Sequence, residues 1–372
     1  MVPGTKVFKQ SEDNISASEK GHAMRWWFYL ILTLYTFFNW LIGQQLYHLL
    51  KVDKTAGWLK ASYWAVFLFL ACSPLLSRWL YKGWEQIGNY WLVFFYYATL
   101  VAVLGLLIKS KPLITACYLL ILTAILYGSA GAQKINLQRY DINIPKAAGQ
   151  LRIVMLSDIH IDSAKPRDYV ETMVRRINLL NPDLVVLTGD IFDDKDISVL
   201  TKEKEILRHI KAKYGVFGVL GNHEYYTGNL SEIIKTLKEA NIVILRDEAV
   251  EIAGVCLVGR DDVSQKRKPL ASLLAGAAKD KPIILLDHQP VNLEEARLAG
   301  VDLQLSGHTH RGQFFPNQLI TRRIYEVDYG YLAKENLQVI VSSGYGTWGP
   351  PVRLGTRSEI VEIIITFTGT KN

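Results

Sequence analysis

Residues 151–160 read LRIVMLSDIH, a run of apolar, partly β-branched residues that stops abruptly at Ser157-Asp158-Ile159-His160. An uninterrupted apolar run of this length between polar segments reads as a strand buried on both faces. The same pattern recurs along the chain. Leu184–Leu187 ends in Thr188-Gly189-Asp190, Val216–Leu220 in Gly221-Asn222-His223-Glu224, and Pro282–Leu286 in Asp287-His288. The run Val301–Leu305 ends in Ser306-Gly307-His308-Thr309-His310. Helical patterns over 167–180, 198–213, 229–240, 268–278 and 291–299 alternate with these runs, so the spacing predicts a layered α/β domain over 151–372. Further strands are expected at Ile242–Leu245, Val339–Ser342 and Ile360–Thr368, the last implying a second sheet that is partly antiparallel.

In open α/β sheets ligands bind at the carboxyl ends of strands, so five such ends predict one shared crevice. The side chains gathered there are Asp158, His160, Asp190, Asn222, His223, His288, His308 and His310, with no cysteine. Oxygen and imidazole donors of this kind suit Mn²⁺, Fe, Zn²⁺ or Co²⁺. In Asp-x-His and His-x-His, residues two apart in an extended segment point to the same side and can face one cluster. Glycines before Asp190, Asn222 and His308 allow sharp turns and close approach. Five of the eight histidines fall in these motifs, which sets them apart from His209, a surface residue on a helix.

The other half of the chain is different in kind. Four stretches, 26–50, 61–77, 86–108 and 112–133, contain no Asp, Glu, Lys or Arg. Each is long enough, or nearly so, to cross a hydrocarbon core of about 30 Å. Eight of nine tryptophans lie before residue 100 and cluster near the ends of these stretches, as an interfacial belt requires. Four transmembrane helices are expected, at about 26–47, 61–77, 86–108 and 112–132, after a polar tail over 1–25 and before a linker over 134–150. The first apolar run lacks a small-residue cleavage site, which disfavours a signal peptide. No charged residue interrupts the spans, which disfavours an ion path. Nine Lys and Arg on the side shared by the N-tail and the exit segment, against five opposite, place the soluble domain in the cytoplasm by the positive-inside rule. The net charge of +7 suits a phosphate-bearing partner, and three scattered cysteines exclude a disulfide framework.

Taken in order, DIH, GD, GNHE, DH and GHTH resemble the motifs of the calcineurin-like metallophosphoesterase superfamily, over roughly 150–372. The entry YDINIPKAAGQLRIVMLSDIHID and the closing YGTWGPPVRLGTRSEIVEI are similar to its membrane-anchored bacterial branch. The resemblance departs at Arg311-Gly312-Gln313, where the branch often has a glycine-rich step, and at Asp287, where many members have Gly. It implies a β-sandwich flanked by helices around two divalent cations, Mn²⁺ first, with Fe, Zn²⁺ or Co²⁺ as alternatives. It further implies Asp158, His160 and His310 on one cation, Asn222, His288 and His308 on the other, and Asp190 bridging. Hydrolysis would then proceed by in-line attack of a metal-bridging hydroxide on phosphorus. His223 is the expected general acid, oriented by Glu224 or another carboxylate. Arg311, Arg353 and Arg357 are candidates for reading a phosphate through their planar forks, while Asp193 and Asp194 read as loop acids or helix-start residues. The aromatic segment Phe314–Leu332 reads either as a lip against the bilayer or as an ordinary hairpin.

These readings imply a membrane-bound phosphohydrolase for a phosphoester or pyrophosphate bond in a lipid-linked substrate. The alternative is a tethered phosphodiesterase for soluble nucleotides or nucleic acid, although no aromatic-and-basic groove favours nucleic acid. A third possibility, a binding scaffold without turnover, would tolerate loss of a ligand, whereas all seven ligand positions hold a competent residue.

Overall fold

The computed structural model describes residues 17–147, 149–278 and 280–369. Much of the expected polar tail lies outside the described residues, and residues 17–25 already belong to the first helix. Four long helices open the chain: α1 (Ala17–Leu49), α2 (Gly57–Trp79), α3 (Glu85–Leu107) and α4 (Lys111–Ala132). Each contains a segment long and apolar enough to cross a membrane.

The chain divides into two compact units, the first holding residues through Pro74 together with Trp91–Ile121. Inside it the few polar side chains find one another. Trp91 Nε1 donates to Asn39 Oδ1 at 3.2 Å, and Tyr118 OH donates to Gln45 Oε1 at 2.7 Å. Tyr35 and Tyr63 donate to the carbonyls of Ala71 and Gly43. Between apolar helices an unpaired polar group is costly, so these bonds fix helix contacts that apolar packing alone leaves free to slide.

The second unit comprises Leu75–Tyr90 and everything from Leu122 onward, so it includes the ends of three long helices as well as the α/β domain. In chain order its elements are β1 (Ile135–Ile144), β2 (Gln150–Leu156), α5 (Tyr169–Leu179), β3 (Leu184–Thr188), α6 (Ile197–Leu207), β4 (Val216–Val219), α7 (Asn222–Tyr226), α8 (Leu230–Glu239) and β5 (Ile242–Ile244). They continue with β6 (Glu248–Ile252), β7 (Val255–Gly259), α9 (Leu270–Leu273), β8 (Ile283–Leu286), α10 (Leu293–Leu298), β9 (Leu303–Ser306), α11 (Gln318–Ile324), β10 (Gly330–Lys334), β11 (Leu337–Val341) and β12 (Ser358–Phe367).

Two six-stranded mixed sheets result, ordered β1-β12-β2-β3-β4-β5 and β10-β11-β9-β8-β7-β6. In the first, β2 to β5 run parallel and β12 is antiparallel to β2. The strand expected at Ile360–Thr368 thus completes the first sheet and makes it mixed. Alternation builds three layers from single strands. On β2, Ile153 and Met155 face Leu257, Leu286 and Leu305 between the sheets, while Val154 and Leu156 face α5 and α6. The outer face of the second sheet is covered by α9 and α10 through Leu270, Leu293 and Ala296.

Some sequence boundaries shift. The stretch 134–150, read as a linker, holds β1, which pairs in parallel with β12 over ten residues and buries Ile142 and Ile144. Its alternating pattern is that of an edge strand with one face buried. The helix expected over 198–213 ends at Leu207, where the chain tightens into i→i−3 bonds at His209 and Ile210. The one expected over 268–278 is only Leu270–Leu273.

If β1 is structural, Ile144→Ala in the full chain leaves a cavity and destabilises the α/β domain by roughly 2–5 kcal/mol. Thermal unfolding in detergent checks this, since a mere linker would show no change in Tm.

Candidate active site

The convergence expected at the strand ends is present. Asp158 and His160 follow β2, Asp190 follows β3, Asn222 opens α7 after β4, His288 follows β8, and His308 and His310 follow β9. Five of these residues, Asp158, His160, Asp190, His308 and His310, have positive φ between 47° and 71°. Left-handed backbone at non-glycine residues is uncommon, and clustering of this kind marks functional sites. Loop-to-loop hydrogen bonds impose it. Asp158 N donates to Gly189 O at 3.0 Å, His160 N to Asp190 O at 2.9 Å, and Gly307 N to His288 O at 2.9 Å. Glycine is required at two of the crossings. A Cβ on Gly307 would collide with Ser157 Oγ and Asp158 Oδ2, and one on Gly221 with Asp190 Oδ1.

The candidate donors fall into three groups, one of them His160, Asp193 and His223, and a carboxylate lies between the other two. Asp158, His160 and His310 form the first, and Asp190, His288 and His308 the second. His160 Nε2 and His310 Nε2 lie 3.1 Å apart, and His308 Nδ1 and His288 Nε2 3.2 Å apart. Asp190 Oδ2 stands 3.2 Å from His288 Nε2 and 3.9 Å from His160 Nε2, so it touches one group and faces the other.

The orientation of the rings is fixed from behind. His288 Nδ1 donates to the Thr188 carbonyl at 2.8 Å, which turns Nε2 inward toward Asp190. His160 Nδ1 lies 3.2 Å from Asp193 Oδ2, and His223 Nδ1 lies 2.8 Å from Asp193 Oδ1. A single carboxylate therefore lies against two imidazoles, and the Nε2 of His223 sits 4.0 Å from Asp190 Oδ2. Asp193 had read as a loop acid. Its spacing from Asp190 carried no signal, because its reach depends on the backbone turn at Asp190.

Glu224, a candidate to orient His223, does something else. Its buried carboxylate accepts from the N–H groups of Ile191 (2.6 Å), Gly221 (2.7 Å), Phe192 (2.9 Å) and Asp190 (3.2 Å). It ties the turn after β3 to the turn after β4. Arg353 is also occupied: it is 1% exposed, and its Nη2 donates to the carbonyls of Ser343 at 2.7 Å and Gly346 at 2.6 Å. Its guanidinium thus faces backbone rather than solvent, correcting its reading as a phosphate reader. Arg311, half-buried beside His310, lies 4.4 Å over the Tyr329 ring, and Arg357 is exposed.

Electrostatics match the grouping. Burial would raise Asp190, but His288, His160 and His223 outweigh it and hold its pKa below the usual carboxylate range. Burial, helped by His288, lowers the His308 pKa to about 4, and burial with His160 keeps His310 well below the ordinary value. Burial thus disfavours a charge on either ring, whereas at His288 Asp190 outweighs burial and raises the pKa. For His223, burial alone would disfavour the charge, but Asp193 and Asp190 prevail and raise its pKa.

The donor set fits divalent cations. Asn222 Oδ1 is buried with no hydrogen-bond partner, a state that costs free energy unless something electropositive faces it. Asp194, next to Asp193, connects the site to the loop between α2 and α3. Its carboxylate accepts from Lys82 Nζ at 2.6 Å and from Ser163 N at 3.0 Å, while Gln86 donates to the Ala164 carbonyl at 2.8 Å.

Comparison with known proteins agrees with this geometry. Residues 151–312 match the calcineurin-like phosphoesterase family. A metallophosphoesterase of Aquifex aeolicus is 37% identical over 254 residues, covering 64% of this chain and 94% of that protein. A transmembrane protein with metallophosphoesterase domain from Bos taurus is 35% identical over 242 residues, covering 60% of this chain and 54% of its own. A Helicobacter pylori metallophosphoesterase is 35% identical over 240 residues, covering 62% and 64% respectively. The chain thus spans just over half of the cattle protein and under two thirds of the Helicobacter one. With its clustered His and Asp side chains, its helix-flanked sheets and its four apolar helices, the chain belongs to the calcineurin-like metallophosphoesterase family.

Proposed function

We propose that the protein hydrolyses a phosphoester or pyrophosphate bond in a lipid-linked substrate, with the soluble domain on the cytoplasmic side of a bacterial inner membrane. The observation that carries the chemistry is the position of Asp190 Oδ2 between the two donor groups. The location of the substrate is supported by the compact unit itself, which contains the ends of the long apolar helices together with the site.

In this reading Asp158, His160 and His310 hold one cation, Asn222, His288 and His308 the other, and Asp190 reaches both. When bound, two such cations, Mn²⁺ in the first instance, neutralise phosphoryl charge and lower the pKa of a water toward neutrality. The protein supplies the rest. The Nδ1 contacts at Thr188 and Asp193 aim Nε2 of His288 and His160 inward, and Glu224 holds the turns that present Asp190 and Asn222. His223, its charged form favoured by Asp193 and Asp190, delivers a proton from Nε2 to the leaving oxygen. Arg311 and Arg357 are the guanidinium groups left to read a phosphate or headgroup.

The functional test uses a bacterial total lipid extract in detergent, incubated with full-length protein and Mn²⁺ and compared by mass spectrometry with His223→Ala. A phosphate-bearing lipid consumed only by the intact protein is the expected result. No consumed lipid, from protein that holds two metals and cleaves soluble nucleotides, would reduce the helices to a tether.

Asp193 and Glu224 separate by kinetics. Asp193→Asn should lower kcat by roughly 10–100-fold with little change in KM, because it releases two rings without removing a ligand. Glu224→Gln should chiefly lower Tm, since it weakens four backbone hydrogen bonds. Asn222→Ala should bind fewer metal equivalents than the parent after dialysis, read by elemental mass spectrometry.

A further inference from the structure

Helix α11 is built inside out for a water-soluble protein. Its inward side chains are polar: Gln318, 6% exposed, donates through Nε2 to the Leu354 carbonyl at 2.8 Å, and Thr321 donates to Asp328 Oδ2 at 2.6 Å. Its outward side chains are apolar: Leu319, Ile320 and Ile324 are 52%, 54% and 66% exposed. An ordinary surface helix shows the reverse arrangement, with the apolar stripe on the core. Arg322 and Arg323 are exposed on the same short helix. A cationic pair beside an aliphatic face is the composition of a segment lying in a membrane interface, where long basic side chains reach up to phosphate groups.

The attachment of α11 indicates what covers that face. Leu354, whose carbonyl receives Gln318, also receives Phe315 N at 3.0 Å. The same strip of chain lies on α4. Arg353 N donates to the Gly128 carbonyl at 3.0 Å, and a Cβ on Gly128 would come within 2.8 Å of Val352 Cγ1 and 2.9 Å of Leu354 Cδ2. Gly128 belongs to the apolar span Lys111–Ala132, and at 1.5 Å per residue it lies about 6 Å from the end of α4. That depth is the boundary between headgroups and acyl chains in a bilayer that α4 crosses. The strip carrying α11 is therefore held at the edge of a membrane-spanning helix.

The other end of α11 leads to the site. Tyr325, which follows its last residue, lies 6.2 Å from the His308 ring, and Trp348, 58% exposed, lies 6.2 Å from the His223 ring.

We propose that the outward face of α11, through Leu319, Ile320 and Ile324, inserts into the headgroup–acyl boundary of an anionic bilayer and brings the mouth of the site against lipid headgroups. The inference rests on the reading of α4 as a membrane span. The labelling test does not depend on which phosphoester is cleaved, whereas the turnover comparison rests on the proposed lipid-linked substrate.

The test places a fluorophore at Ile320→Cys in the full chain, with Cys72, Cys117 and Cys256 changed to Ala, reconstituted in nanodiscs of phosphatidylglycerol and phosphatidylcholine. The same label at Leu298→Cys is the aqueous control, because α10 ends where β9 begins, at the end of the sheet opposite the site. Quenching by doxyl-labelled lipid but little by iodide at 320, with the opposite at 298, is the expected result. Iodide quenching at 320 equal to that at 298 would overturn the proposal, and so would protection from both quenchers, which signals contact with a second copy. Failure of the membrane reading itself would appear separately, as chain that does not co-purify with nanodiscs. A second readout compares substrates. Ile320→Asp with Ile324→Asp should lower turnover of a fluorescent phospholipid in vesicles by roughly tenfold or more, yet leave hydrolysis of bis(p-nitrophenyl) phosphate unchanged. Equal loss on both substrates would contradict an interfacial role.

Discussion

Two pairs of imidazole nitrogens face each other inside this protein, His160 with His310 at 3.1 Å and His288 with His308 at 3.2 Å. Burial keeps His308 and His310 neutral, while Asp190 outweighs burial at His288 and raises its pKa, so each facing pair has room for a proton or a cation between its nitrogens. Asp190 supplies negative charge to both pairs. Much of the surrounding structure serves to hold these groups at such distances. Asp193 and the Thr188 carbonyl grip the rings from behind, Glu224 binds the two turns together, and Arg353 collects the carbonyls of the loop beside Asp158 and His310.

Holding them carries a cost in backbone strain. Five candidate ligand positions adopt left-handed φ, at roughly 1–3 kcal/mol each for residues in sparsely populated regions. The sheets can support this because β2, β3, β4, β8 and β9 are buried along their whole apolar length, so their ends have little freedom to relax. A layered sandwich with helices outside is thus a rigid frame, and the strained turns present the candidate donors at its edge. Close approach shows why Gly precedes Asp190, Asn222 and His308: at Gly221 and Gly307 a Cβ would occupy the space of a carboxylate oxygen, and at Gly189, with φ of 86°, that of the His288 ring.

Legibility from sequence followed the range of the interactions. The strand ends were readable because an apolar run and its polar terminus are contiguous, and the ligand residues lie within those few positions. Asp193 was not, because its partners His160 and His223 are separated from it by 33 and 30 residues of sequence and meet it only through the turn at Asp190. β1 read as a linker because its pattern is mixed and its partner, β12, begins at Ser358. Arg353 read as a ligand-binding group because sequence does not report burial. The inverted face of α11 spans only seven residues, too few for a period to show. Lys82 lies 112 residues before the carboxylate that receives it.

That Lys82–Asp194 contact, with Arg353 N on Gly128, means the loops of the candidate site and the ends of the apolar helices are one packed unit. Anchor and site are continuous, which is why the account ties the chemistry to the bilayer. Its central claim remains the pair of cations astride Asp190. The most direct measurement is anomalous X-ray diffraction at the manganese edge from crystals of the full chain grown with Mn²⁺. The account predicts two peaks, one within the Asp158, His160 and His310 group and one beside His288, His308 and Asn222, with Asp190 between them. A single peak, or none at saturating Mn²⁺, would contradict it.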